Sequence, residues 1–426
     1  MPTILDTLKA RGLYEDQTSP GLDAALQQPT TVYAGFDPSS ESLQAGNFVA
    51  IMVLAHFQRA GHRVIALAGG ATGLIGDPSF KTDERQLLTE EQVEKNLAGI
   101  QENLSRFLDF NHPTAPAKLV NNYDWFQGVT FISFLREIGK HFRMTQMLGK
   151  ESVRARMEDR EVGISYTEFS YMLLQAFDFY ILRRDQNCEL QIGGSDQWGN
   201  ITAGIDLCRK KMGAYVYGLT LPLITNADGT KFGKSVAGAI WLNPHKTSVY
   251  RFYQFWIRTD DRDVIRYLRY FTFLSREEIA ELEQKHTANP GAREAHKSLA
   301  KAVTDLIHGE AATAEAIRAT EVLFGGDPAG ISEVTFNDIL GEAPTKEIER
   351  SKLADPGILL VDLLVHSGLC ASKGQARKDL EGGGIYLNNM RETNPLRPVT
   401  LSNLLFGRHL LLRKGKKNYV AVTAKD

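Results

Sequence analysis

The sequence predicts an α/β fold with a parallel sheet, followed by a helical region and a small α+β module, on three observations. β-rich runs alternate with helical patterns in the first half, an amphipathic helical pattern fills residues 249–323, and short apolar strands return in a basic tail. Taken in order, Thr31-Val-Tyr-Ala-Gly-Phe and Val64-Ile-Ala-Leu-Ala-Gly-Gly read as buried strands, and Phe48 to Ala60 between them reads as a helix. This βαβ rhythm calls for helices on both faces of the sheet. From Val249 to Leu323 the pattern is helical throughout, with Glu277, Glu278, Glu281 and Glu283 on charged faces. Phe324-Gly-Gly-Asp-Pro-Ala-Gly and Gly341-Glu-Ala-Pro then punctuate the chain, because glycine and proline do not continue a helix. The tail alternates again: Leu359 to Val365, a basic helix at Gln375 to Leu380, and strands at Ile385-Tyr-Leu and His409-Leu-Leu-Leu.

Composition narrows the function classes. With 426 residues, 49 basic and 51 acidic side chains, 43% hydrophobic and 23% charged residues, the chain reads as a soluble globular protein of several domains. Long biased runs and heptads are absent, which excludes disordered, collagenous and coiled-coil classes. Asp6, Lys9 and Arg11 precede any apolar stretch, and the uncharged run Val64 to Gly76 is short and glycine-rich, so neither a secretory leader nor a membrane span is expected. Cys188, Cys208 and Cys370 match no metal or disulfide spacing, so a reducing, cytoplasmic compartment and no structural metal are expected. The charge is uneven: residues 351–426 hold 12 Lys and Arg against 6 Asp and Glu, net +6, which leaves −8 on the preceding 350. A basic module thus follows an acidic body.

Five segments carry chemistry. Tyr33 to Asn47 runs from a strand through a polar loop into a helix beginning near Gly46, where free N–H groups and a bare backbone suit a phosphate. Gln44 and Asn47 are three apart and share a face there, although a simple helix cap uses the same residue types. Gly69-Gly-Ala-Thr-Gly-Leu-Ile-Gly-Asp77 holds four glycines in the eight positions before its aspartate, more than a turn requires, which favours close approach of a ligand. Lys81 is preceded by Phe80 where a P-loop needs glycine, so this is no P-loop. Tyr171, Gln175 and Asp178 fall at i, i+4 and i+7, gathering a hydroxyl, an amide and a carboxylate on one helix face. Such a face is either a satisfied core network or a pocket wall that a polar ligand completes. Leu190 to Asn200 places Gly193 and Gly194 before Asp196 and Gln197, side chains suited to sugar hydroxyls or a carboxylate. Asp228-Gly-Thr-Lys231-Phe-Gly-Lys234-Ser235 is a lysine-bearing loop, a solvated surface in isolation and a charge clamp beside a phosphate.

In order along the chain, these segments, with Ala60-Gly-His, Asn121-Asn-Tyr-Asp-Trp, Phe252-Tyr-Gln-Phe-Trp-Ile and Arg413-Lys-Gly-Lys-Lys-Asn-Tyr, resemble the bacterial tyrosyl-tRNA synthetases over nearly the whole length. The resemblance implies a class I synthetase with a Rossmann-like catalytic domain and a dimer-forming insertion over 1–222, then the lysine loop and an anticodon-side helical domain over 223–325. A linker over 326–353 and a basic RNA-binding module over 354–426, similar to a small-subunit ribosomal protein, would follow. It implies a homodimer that makes tyrosyl-adenylate from L-tyrosine and ATP with Mg2+, then esterifies tRNA for tyrosine. Residue by residue, Tyr33 and Asp178 would bind the phenolic hydroxyl of tyrosine, and this enzyme family is the established example of roughly 10⁵-fold rejection of phenylalanine by such groups. Asp77, Tyr171 and Gln175 would hold the ammonium group, supported by Asp37, with Gln197 beside the carboxylate. Gly35, Gly46, Gly194, Asp196 and Ser235 would line the nucleotide site, and Lys81, Arg85, Lys231 and Lys234 would surround the leaving pyrophosphate.

The chain departs from the family where a His-X-Gly-His signature is usual: it reads Gln44-Ala45-Gly46-Asn47, so both imidazoles are replaced by amides that still donate hydrogen bonds. Gln44 and Asn47 are therefore expected to keep a catalytic role. The replacement also raises a rival reading, a paralogue that binds without charging, against which the lysines count. For RNA, Arg154 and Arg156 are expected near the acceptor stem, and Lys373, Arg377, Arg408, Arg413, Lys414, Lys416 and Lys417 form a density suited to phosphates.

Overall fold

The computed structural model describes the chain except residues 1–2, 79–87, 151–152, 155–156, 158–162, 231, 236–237, 323–324, 342 and 416–417, and, for Lys234, Ser235 and Ala329, the backbone alone. Two compact units are present, one formed by residues 1–246 and 259–307, the other by 247–258 and 308–426.

The first unit is built on a six-stranded sheet of β1 (Asp16–Gln17), β2 (Thr31–Phe36), β3 (Arg63–Ala68), β4 (Lys118–Asn121), β5 (Cys188–Gly194) and β6 (Tyr217–Leu221), in the order β1-β6-β5-β2-β3-β4. All neighbours are parallel except β1 against β6. β2 and β3 are buried along nearly their whole length, as a central parallel strand must be, and Gly35 alone in β2 is exposed. The chain steps outward from β2 through β3 to β4 and then returns to β5 on the other side of β2. The strand order therefore reverses between β2 and β5, and a crevice opens at their carboxyl ends, where ligands of open α/β sheets bind.

Helix α1 (Phe48–Arg59) connects β2 to β3 and is buried almost all round. A 3-10 turn at Ala45–Asn47 precedes it, so the regular helix begins two residues after Gly46. Helix α2 (Tyr166–Gln186) is opened by a capping box between Ser165 and Glu168 and closed by Asn187 in the left-handed region, φ 51°. Across its 21 residues it carries the Tyr171, Gln175, Asp178 face to the crevice. Helix α3 (Trp198–Met212) leaves the end of β5. Further along, α4 (Arg276–Ala288) and α5 (Glu294–His308) confirm the helical reading of this region.

In the second unit, a five-stranded sheet of β7 (Thr345–Glu349), β8 (Ile385–Leu387), β9 (Met390–Glu392), β10 (His409–Lys414) and β11 (Asn418–Lys425) runs in the order β9-β8-β10-β11-β7. Leu360–His366 is a helix, and Lys373–Glu381 is the basic one. The stretch 326–353, expected as a linker, carries the helix Glu333–Leu340 with Phe336 and Ile339 fully buried, and it supplies β7. Ile348 and Leu353 share a core with Leu410, Leu412 and Val422.

Candidate active site

The end of β2 delivers Asp37, the end of β4 delivers Asn121 and Asn122, and α2 delivers Tyr171, Gln175 and Asp178 to one side of the crevice. Their side chains form a continuous network. Tyr171 Oη donates to Asp37 Oδ2 at 3.1 Å, and Thr72 Oγ1 donates to Asp37 Oδ1 at 3.1 Å. Asn122 Nδ2 donates to Thr72 Oγ1 at 3.0 Å and to Asp178 Oδ2 at 3.1 Å, and Trp125 Nε1 donates to Asp178 Oδ1 at 2.9 Å. Burial lifts the Asp178 carboxyl to about 8; the Asn122 and Trp125 hydrogen bonds work against that rise, and the charge of Asp37 adds to it. Burial, then the charges of Asp37, Asp77 and Asp178, holds the Tyr171 phenol well above its ordinary range.

Two groups are conspicuous for what they lack. Tyr33 is fully buried in β2, its ring edge-on to Phe179 at 5.2 Å, and its hydroxyl has no hydrogen-bond partner. Burial raises its phenol well above the usual value, and among charges Asp178 acts on it most. Gln175 Oε1 is likewise buried without a partner. Beside the open crevice, such unpaired buried atoms are groups a polar ligand can complete.

Across the crevice, Gln197 Nε2 donates to Asp77 Oδ2 at 2.7 Å and to Asp196 Oδ2 at 3.3 Å, while Asn200 Nδ2 donates to Gln197 Oε1 at 3.1 Å. This sets an acceptor-rich rim of Asp77 and Asp196 beside Gly194. Gly35 is exposed between the two sides, and a Cβ there would meet nothing nearer than Leu67 at 4.0 Å. The open floor is room for a flat ring or a ribose.

The glycine-dense exit of β3 works differently from the expectation. A Cβ on Gly73 would lie 2.8 Å from Pro38, and one on Gly69 or Gly70 would collide with Asp37 and Thr72 or with Asn121. These glycines let the site's own side chains close up, rather than a ligand.

The signature loop and the lysine loop meet in the backbone. Ala45 N–H bonds to Ile240 O at 2.9 Å and Leu242 N–H to Leu43 O at 3.0 Å, flanking a bridge between Gln44 and Trp241. Gly233, φ +82°, packs so closely that a Cβ would sit 2.9 Å from Gly46 N. Asn47 Oδ1 accepts from the Gln44 backbone N–H at 3.1 Å, so Asn47 caps this turn. Lys81, Arg85 and Lys231 lie outside the described residues, and of Lys234 and Ser235 only the backbone, paired to Gly238–Ala239, is described.

Sequence motifs alone assign no role to Thr72, Asn122, Trp125 or Gln191. Gln191 is buried, pairs in register with Tyr33, and leaves its Oε1 without a partner. The signal available is the unusual placement of polar residues inside apolar strand ends, Asn121-Asn122 and Gln191.

Among the expected RNA contacts, Arg154, Arg377 and Arg408 are exposed. Arg413 is turned inward instead: it is 7% exposed, its guanidinium stacks 3.6 Å from the Tyr386 ring centre and bonds to Asn389 Oδ1 and Gly415 O. Lys373 and Lys414 are paired with Asp362 and Asp379, each at 2.6 Å. Arg156, Lys416 and Lys417 lie outside the described residues.

Comparison with known proteins agrees with this geometry. Residues 25–325 match the family model described as tRNA synthetases class I (W and Y), and residues 339–422 match that of the Tyrosine--tRNA ligase SYY-like C-terminal domain. The chain is 58% identical to a tyrosine-tRNA ligase of Opitutus terrae, over 99% of each chain. It is 51% identical to that of Geobacillus stearothermophilus, over 98% of this chain and 99% of the other. A solved structure of a C-terminally truncated Aspergillus nidulans mitochondrial tyrosyl-tRNA synthetase aligns with TM-score 0.68 and 30% identity, covering 76% of this chain and 95% of that one. The fold, the switch-point site and the matches over nearly the whole chain lead to one statement of kinship: this chain belongs to the class I tRNA synthetases of the tryptophan and tyrosine type.

Proposed function

We propose that the chain is a tyrosine-tRNA ligase, which activates L-tyrosine with ATP to tyrosyl-adenylate and pyrophosphate and then transfers tyrosyl to the terminal adenosine of its tRNA. The observation that carries the choice of amino acid is the pair of Asp178 and Tyr33: a buried acceptor with two fixed donors, and a buried hydroxyl still lacking a partner. A phenolic hydroxyl donates to the first and accepts from the second. An indole offers no oxygen to either, and a phenyl ring leaves both unpaired.

In this reading Asp77, Tyr171 and Gln175 hold the substrate ammonium, and the aspartate–tyrosine bond at Asp37 fixes the angle of the Tyr171 ring. Gln197, tied to Asp77, orients the adjoining carboxylate. MgATP enters as substrate over Gly35 and Gly194, with its ribose against Asp196. The tyrosine carboxylate, ionised at neutral pH, attacks the α-phosphorus directly, so no general base is required. What remains for the protein is alignment and stabilisation of charge on the departing pyrophosphate. Gln44 donates to those phosphates from the loop that Gly233 presses against Gly46, joined by Asn47 and by Lys81, Arg85, Lys231 and Lys234. Ser235 completes the nucleotide side.

The exposed apolar residues Phe131, Ile132, Leu135 and Met144, with Phe131 and Ile132 64% and 71% exposed, support a homodimer through this part of the first unit. Exposed Arg154, Arg377 and Arg408 support tRNA contact, with Arg156, Lys416 and Lys417. Among the described residues no helix is long and apolar enough to cross a membrane, which suits a cytoplasmic enzyme. Amino-acid-dependent ATP–pyrophosphate exchange tests the whole proposal: exchange with tyrosine and not with phenylalanine or tryptophan is expected. Exchange with none of the three, in protein that still binds tyrosine, would replace it with a binding paralogue.

A further inference from the structure

Away from the crevice, the first unit gathers three potential ligands that no sequence motif connects. Asp261 lies in the loop before the helix Val264–Phe271, His286 in the last turn of α4, and His296 in the first turn of α5. One donor atom from each falls within 4.8 Å of the other two. His296 is fully buried, its Nε2 stands 3.1 Å from Asp261 Oδ1, and the Thr259 backbone also hydrogen-bonds its ring. His286 Nε2 contacts the Asp261 carbonyl oxygen at 3.2 Å, and since a carbonyl only accepts, that nitrogen carries the proton. Its Nδ1 is then left with a lone pair, buried and without a partner.

A buried imidazole lone pair, such as that of His286 Nδ1, costs stability unless something takes it. Two imidazoles and a carboxylate are the ligand set of zinc and its first-row neighbours. The carbonyl contact that fixes the tautomer of His286 is the kind of support such ligands have. We propose that Asp261, His286 and His296 bind one divalent transition-metal ion of the zinc class, tying the 259–263 loop to the facing ends of α4 and α5. Tetrahedral coordination with bonds of about 2.0–2.1 Å sets ligand atoms roughly 3.4 Å apart. Asp261 Oδ1 already stands 3.1 Å from His296 Nε2, so loading closes only the wider separations, by at most about 1.4 Å from 4.8 Å, a movement that Asp261, 57% exposed, can share. Arg293 Nη1, 3.8 Å from Asp261 Oδ1, competes for the carboxylate and must yield part of it. No acidic or basic group of the active site takes part, so loading is independent of the adenylation chemistry.

The test uses the full-length chain stripped with chelator and titrated with zinc chloride by calorimetry, with cobalt(II) absorption as a spectroscopic check on coordination. One ion per chain and a rise in thermal midpoint on zinc addition are expected. His296→Gln and Asp261→Asn should each lower affinity by more than the roughly 10- to 100-fold that loss of a supporting partner costs. His245→Gln, exposed and remote in sequence, should leave it unchanged. Arg293→Gln should tighten binding. Because His296 is buried and its variant could fold poorly, the exposed Asp261→Asn is the decisive variant. No zinc uptake by the parent chain, or equal uptake by Asp261→Asn, overturns the site.

Discussion

Tyr33→Phe separates two effects that a simple structural residue would combine. In the free protein the Tyr33 hydroxyl is buried and unpaired, while its ring stands edge-on to Phe179 in a core that also holds Leu182, Cys188 and Cys208. Removing the oxygen leaves that packing intact and deletes a buried unsatisfied group whose cost is of the order of 1–3 kcal/mol. Ligand-free Tyr33→Phe should therefore be more stable than the parent, by about 1 kcal/mol in denaturant unfolding. With tyrosine bound, the substrate hydroxyl loses a neutral hydrogen bond of about 0.5–1.5 kcal/mol, so kcat/KM for tyrosine in pyrophosphate exchange should fall by roughly two- to tenfold. Phenylalanine, which leaves the Tyr33 oxygen stranded in the parent, should react no worse with the variant. Discrimination between the two then narrows by roughly two- to tenfold, with the remainder held by Asp178. A variant that is less stable without ligand and discriminates as the parent does would refute the reasoning, because the hydroxyl would then serve the fold rather than the substrate.

Three other outcomes follow from the same geometry. Gln44→Ala should slow adenylation on the order of 10²-fold or more with little change in KM for tyrosine, read by single-turnover kinetics; an unchanged rate removes Gln44 from the chemistry. The Asp178 carboxyl, raised by burial from 3.8 to about 8, holds its proton more tightly folded than unfolded, so its contribution to stability is present at low pH and is lost as pH rises through that window. Tyrosine affinity should move the opposite way, gaining up to about tenfold per pH unit below 8 as the acceptor ionises, and Asp178→Asn should flatten both profiles in denaturation and binding titrations. For RNA, a cut after Leu353 would strand β7 from its partner β11 and split one core, so charge reversal is the cleaner probe. Arg377→Glu with Arg408→Glu should leave pyrophosphate exchange within about twofold, weaken tRNA charging and reduce its salt dependence; equal loss of both activities would count against a separate RNA role.

Much of this protein is legible in one dimension. Short apolar runs closed by glycine, as at Thr31 to Phe36 and Val64 to Gly70, fit buried parallel strands, because both faces of each run are apolar and the runs are too short for helices. Tyr171, Gln175 and Asp178 share a face because helical periodicity is a local property, and α2 preserves it over 21 residues. The resemblance in ordered motifs carried the rest of the site, since each motif is contiguous.

What the sequence could not supply is whatever depends on distant segments meeting. That Asn122 links Thr72 to Asp178 is set by β4 lying beside β3, and that the Gly69 region packs on Asp37 rather than on a ligand is set by how closely two loops approach. Arg413 looks like any other tail cation until the fold turns it onto Tyr386. The spacing of Asp261, His286 and His296 likewise matches no motif, because a ligand set assembled from a loop and two helix ends has no period. Local patterns follow from the stereochemistry of consecutive residues; partners, burial and orphaned polar groups follow from which surfaces the folded chain brings together, and only the tertiary structure decides those.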